Sequence, residues 1–94
     1  MLAIDNYRFS LNISWQNYDQ EDLLFIFSHK KQQNYYLEGS AREMVKLWIQ
    51  NPGITHADLL NHLSKTYQAP LQTLSDAIDE VFEILKQEEI ICEK

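Results

Sequence analysis

The chain has 94 residues, which points to one domain, since independently folding domains typically run to about 100–150 residues. Apolar types make up 45% and charged types 23% of it, an ordinary globular composition with enough apolar mass for one core. Its formal charge is −6, a balance that works against phosphate backbones and anionic membrane surfaces.

The imbalance is local. Residues 1–50 hold six acids and five bases, whereas residues 71–94 hold seven acids against Lys86 and Lys94. The longest apolar run, Leu23-Leu24-Phe25-Ile26-Phe27, is far shorter than the roughly 20 residues of a membrane helix. Met1-Leu2-Ala3-Ile4-Asp5 has no basic segment followed by a long apolar one, so no secretory signal is expected and the cytoplasm is the expected compartment. A lone cysteine, Cys92, rules out an internal disulfide and a multi-cysteine metal site.

In chain order, Tyr7, Phe9, Leu11, Ile13 and Trp15 alternate with polar residues, which predicts a first strand with one apolar face. Residues 16–22 then read as a polar turn. Leu23 to Phe27, apolar on both sides, reads as a second and central strand. After a polar turn over residues 28–33, Asn34-Tyr35-Tyr36-Leu37 reads as a short third strand. Short links between successive strands predict an antiparallel meander.

Beyond Gly39 the period changes to that of a helix. Ser40 with Glu43 fits a capping box, and Ala41, Met44, Val45 and Trp48 fall on one face before Asn51-Pro52-Gly53 stops the helix. Thr55 with Asp58 opens a second helix, Ile54 and Leu59 fit a hydrophobic staple, and Leu59, Leu60, Leu63 and Tyr67 form its buried face. Pro70 suits the first position of a third helix that runs to about Gln87. Ile90, Ile91 and Cys92 read as a short strand or a packed tail. The fold class is therefore α+β, a three-stranded antiparallel sheet followed by three helices, in one domain over 1–94.

The third helix has a wide apolar stripe. At 100° per residue, Leu71, Leu74, Ala77, Ile78, Val81, Phe82, Ile84 and Leu85 span an arc of roughly 160°, more than a helix on a single core needs. It is either embedded between two layers, or one flank lines a groove. Trp48 reads as a core residue, and so does Trp15, with an exposed tryptophan that meets a partner protein as its alternative.

Catalytic chemistry finds no residues here. His56 and His62, six positions apart, stand on nearly opposite sides of their helix and cannot share one ion. Two glycines leave no room for a phosphate-cradling loop. Asp76, Asp79, Glu80 and Glu83 follow the polar face of the third helix and read as a solvated face. No cofactor, metal or catalytic residue is expected.

From the second strand onward the order and spacing of elements resembles the PqqD-like family, the peptide-recognition domain of ribosomal peptide natural-product biosynthesis (the RiPP recognition element). The likeness runs over about residues 7–92. It is carried by the apolar strand, Tyr35-Tyr36-Leu37, the helix with Trp48, the Pro-Gly turn, Ile54-Thr55-His56-Ala57-Asp58-Leu59-Leu60, and a third helix with Asp79 and Leu85 before Ile90-Ile91. The small stand-alone forms, including those of lasso-peptide pathways, are the more similar ones. The resemblance implies a winged helix-turn-helix arrangement and a non-catalytic role. The domain would hold the leader segment of a precursor peptide and present it to a modifying enzyme or protease of the same pathway.

In that family the leader adds as a strand beside the third strand, against the third helix. Carried over, Asn34, Tyr35, Tyr36 and Leu37 would supply the backbone edge, and Ile78, Val81, Phe82 and Leu85 would line the groove. Two departures stand out. The family often has Asn after the leucine that ends the third strand, where this chain has Glu38-Gly39. Basic residues common on its third helix are replaced here by acids, so Asp79 and Glu83 predict a leader that is basic or neutral beside them.

The residues also support the edge directly. A short exposed strand is a template for strand addition, and it could equally pair with a second copy of the chain. Tyr35 and Tyr36 point to opposite faces. A winged-helix DNA-binding regulator shares the helical order, but its recognition helix would carry bases rather than acids. A protein-interaction subunit of another kind is the remaining alternative.

Overall fold

A computed structural model of the chain describes residues 3–94. Met1 and Leu2, part of the stretch read for a secretory signal and of the expected domain 1–94, lie outside the described residues. Five strands and three helices follow in order: β1 (Tyr7–Phe9), β2 (Ile13–Tyr18), β3 (Leu23–Ser28), β4 (Gln33–Glu38), α1 (Gly39–Gln50), α2 (His56–Thr66), α3 (Leu71–Gln87) and β5 (Ile91–Glu93). Strands β2, β3 and β4 form an antiparallel sheet in that order, with β3 in the middle. A second, two-stranded sheet pairs β1 with β5.

The stretch read as one strand from Tyr7 to Trp15 is thus two strands in two sheets. Its alternation continues through the break, which is why the pattern hides it. Ser10 donates its N–H to the Ile90 carbonyl (2.9 Å) at the end of the β1–β5 ladder, and its hydroxyl accepts from the Asn12 N–H (3.3 Å) in a local turn before β2. Leu11, expected on the apolar face, is 88% exposed. The freed register also carries β2 on to Tyr18, inside the expected turn.

Helix α1 packs on one face of the β2–β3–β4 sheet, against β3 and β4, while α2 and α3 pack on α1 and on each other. On that face Leu24 and Ile26 are fully buried, and they meet Met44, Val45 and Trp48 of α1, Leu59 and Leu63 of α2, and Leu74, Ile78, Phe82 and Leu85 of α3 in one core. Trp48 holds the layers together edge-on, 4.8 Å from Phe9 and 5.6 Å from Phe82. Aromatic pairs in this geometry add about 0.5–1.5 kcal/mol beyond their buried area. Trp15, expected in the core, stands on the same face but at the outer edge of the sheet, and is 46% exposed.

Helix starts follow local chemistry. The Thr55–Asp58 capping box forms, with the Thr55 hydroxyl accepting from the Asp58 N–H (3.1 Å) and the Asp58 carboxylate from the Thr55 N–H (3.3 Å). The Ser40–Glu43 box does not. Instead Asp22, from the β2–β3 turn, accepts from the Gly39 N–H (3.4 Å), and Glu43 lies 3.6 Å from His62. Pro70 is the residue before α3 rather than its first. No helix of the described residues is long and apolar enough to cross a membrane.

Candidate peptide-binding groove

Strand β4 bonds to β3 on one side only. Register pairs run from Leu23 with Glu38 to Ser28 with Gln33. Alternate residues of such an edge strand turn both N–H and C=O away from their neighbour. Among the described residues, no backbone group from Asn34 through Leu37 is seen to bond to anything beyond β3. The edge is open.

Residues directly opposite each other in an antiparallel pair share a face. Tyr35 and Leu37, opposite Ile26 and Leu24, therefore face the helices, and both are partly buried against the core. Tyr36, opposite Phe25, faces outward and is 62% exposed. The structure answers which tyrosine packs inward: Tyr35.

The C-terminal end of α3 meets this edge. The Tyr35 hydroxyl donates to Glu88 just past its C-terminus (2.8 Å), and Lys30 of the β3–β4 turn pairs with Glu89 (3.0 Å). These contacts close one end of the space between β4 and α3. Burial, followed by the Glu88 carboxylate, pushes the Tyr35 phenol above its ordinary value. Toward Leu37 no hydrogen bond or ion pair among the described residues joins strand to helix.

The wide stripe of α3 divides in two. Leu74, Ile78, Phe82 and Leu85 are buried, the last three at 0%, 0% and 2% exposure. Ile78, Phe82 and Leu85, expected to line a groove, thus pack in the core. Ala77, Val81 and Ile84 share the side that carries Glu88, because positions i, i+4, i+7 and i+11 stack along a helix. Ala77 and Val81 are partly buried, and Ile84 is 50% exposed. Of the expected lining, Val81 is the one on this flank. Ala77 and Ile84, both in the stripe, stand beside it on this flank, and periodicity alone does not separate core-facing positions from flank.

The acids also redistribute. Asp79 and Glu83 each stand about 160° around the axis from Val81. Asp79 lies 3.1 Å from His56 on α2, turned from the groove. Glu83 is exposed. Glu80, one turn before Ile84, is the acid that borders the flank instead.

Arg42 is a residue the sequence did not flag. Buried on α1 at 5% exposure, it donates Nε to Asn17 (3.1 Å) and Nη1 to Asp22 (3.0 Å), and pairs with Asp19 through Nη2. Lys46 pairs with Asp19 as well (3.0 Å), and hydrogen bonds from Lys46 and Asn17 hold the Asp19 carboxyl below its ordinary range. This cluster fastens the end of β2 and the β2–β3 turn to α1. Among the described residues, no group of His, Cys, Asp and Glu could hold a metal ion.

Two solved structures share this fold. TbiB1 in complex with the TbiA(beta) leader peptide superposes with a TM-score of 0.79 at 12% identity, covering 89% of this chain and 93% of that one. Lasso peptide synthetase B1 complexed with the leader peptide superposes at 0.81 with 17% identity, covering 93% and 98%. The likeness extends over nearly the whole of each chain and is one of fold. No protein-family model matches the sequence, and no curated protein matches it either.

Proposed function

We propose that this chain binds the leader segment of a ribosomally made precursor peptide, without itself catalysing a reaction, and delivers it to a modifying enzyme or protease. The observation that carries this reading is the open edge of β4, tied through Tyr35 to the end of α3, in a fold shared with two solved complexes with leader peptides. The guest adds as a strand along Asn34, Tyr35, Tyr36 and Leu37. Its inward side chains settle against Ala77, Val81 and Ile84, and Glu80 at the rim favours a basic or neutral guest residue there.

The dimensions agree. A six-residue strand is about 20 Å long, and the helix from Ala77 to Glu88 rises about 17 Å. About four net backbone hydrogen bonds contribute roughly 0.5–1.5 kcal/mol each, and two buried apolar anchors add about 1.5–3 kcal/mol each. Ordering a flexible peptide costs several kcal/mol, which leaves affinity near the micromolar range.

The outer face of the sheet supports delivery. Tyr18, Phe25 and Tyr36 pack edge-on across its three strands at 5.3 and 4.7 Å. An added strand would extend this aromatic face, so the modifying enzyme would meet guest and carrier as one surface. A DNA-binding role finds no support: α3 carries Asp76, Asp79, Glu80 and Glu83 where phosphates would lie.

NMR titration with a synthetic leader segment from the precursor encoded beside this chain tests the reading. Amide shifts should concentrate at Asn34 through Leu37 and from Ala77 to Ile84. No shift at millimolar peptide, or shifts confined to other elements, would overturn it.

A further inference from the structure

The same sheet has a second open edge. Among the described residues, strand β2 pairs only with β3. Natural edge strands are usually guarded by charge, proline, a bulge or brevity. Ile13, Ser14, Trp15, Gln16, Asn17 and Tyr18 include no charged residue and no proline, and all six pair in unbroken register with β3. Beside this edge Trp15, 46% exposed on the helix-covered face, borders a cavity of about 100 Å³ with Asn17, Leu24, Lys46, Ile49 and Gln50.

We propose that the β2 edge is a self-association surface, on which a second copy of this chain adds its own β2 antiparallel about a two-fold axis, with Trp15 against Trp15.

The register follows from face parity. Opposite residues in an antiparallel pair share a face, and a two-fold axis through the sheet preserves faces. The axis must therefore pass through a residue pair of one parity, and only centres on Trp15 or Gln16 overlap most of the strand. A centre on Gln16 opposes Trp15 to Asn17 and Ile13 to Asp19, an apolar side chain against a charge. A centre on Trp15 pairs the two indoles, opposes Ser14 to Gln16, and sets Ile13 of the second copy against Asn17 at the mouth of the cavity. Aromatic cross-strand pairs of this kind are favourable. The result is one continuous six-stranded sheet with a free β4 at each end. Self-association and peptide binding therefore use opposite edges, and this inference stands whether or not the proposed function does.

The contact is a strand edge with one aromatic pair, smaller than a standard interface, so a dissociation constant on the order of 10–100 µM is expected. Sedimentation velocity on the full chain from micromolar to about 0.5 mM should show a reversible monomer–dimer equilibrium in that range. The double variant Ser14→Lys/Gln16→Lys places charge on two exposed positions. It should weaken the dimer by about tenfold or more while the thermal unfolding of the monomer is retained. Trp15→Cys with Cys92→Ser should cross-link on mild oxidation, whereas Ser14→Cys with Cys92→Ser should not. A monomer at every concentration overturns the proposal. So does a dimer that survives the lysine pair, or one that a leader peptide dissolves, since that would put the contact on β4. Failure of the leader to bind would count against the proposed function alone.

Discussion

Gly39 has φ of +61°, and nothing lies within 4 Å of where a Cβ would sit. The cost of a side chain there is therefore conformational rather than steric: left-handed backbone costs an L-residue about 1–2 kcal/mol. Gly39→Ala should lower the urea-unfolding free energy by about that amount, with little change at the groove. Glu38-Gly39 thus has a physical basis, a left-handed step from β4 into α1 at which Asp22 accepts from the Gly39 N–H. Arg42 is the second residue to test. Arg42→Met removes charge-assisted bonds whose carboxylate partners are largely exposed, so solvent recovers part of the loss. A destabilisation of about 1–3 kcal/mol is expected in the same assay. Tyr35 carries a pH signature. Its raised phenol favours the neutral form in the folded state, so the stability it adds is complete below the ordinary tyrosine range and is lost as pH rises through the raised value. Ultraviolet titration should show one phenol ionising late, and Tyr35→Phe should remove that component.

At the level of elements, α3 offers the sharpest separation between fold and binding. Phe82→Ala opens a cavity in the core and should cost about 3–5 kcal/mol, close to the whole stability of a small domain. Ile84→Ala, half exposed, should change stability by less than about 0.5 kcal/mol yet weaken leader binding several-fold by calorimetry. If both changes act only on stability, the flank is not the site. The helices were legible because their apolar periodicity and the Thr55–Asp58 cap come from local physics. The Ser40–Glu43 box looked equally local, but a carboxylate from a distant turn took the amide. Which residues of the wide α3 stripe face the core and which form flank depends on how the other elements pack, and no helical period encodes that. Trp15 shows the same limit. Alternation assigns it the correct face, but only strand order reveals that it sits at an edge with nothing beyond.

The whole molecule is a sheet covered on one side. Its covered face holds the core, its bare face carries the Tyr18–Phe25–Tyr36 row, and its two edges differ in neighbours: the turn after α3 for β4, the end of α1 for β2. Tyr18→Ser alters the bare face two strands away from the groove. Leader affinity should stay within about twofold, while turnover of the bound peptide by its modifying enzyme should fall, as read in a reconstituted reaction. Sequence reading reached the three-stranded meander and the β4 edge, since both follow from short polar links and alternation. It missed the separate sheet because β1 finds its partner more than eighty residues away.

That distant pairing has a practical consequence. Tyr7 lies opposite Glu93, and the Lys94 N–H bonds to the Asn6 carbonyl (2.9 Å), so the two extremities of the described fold are clasped side by side. A circularly permuted version, joined there by a short glycine-serine bridge and reopened at the exposed Gly53 bend, should keep its shape. Chain connectivity could then be moved without disturbing either edge of the sheet.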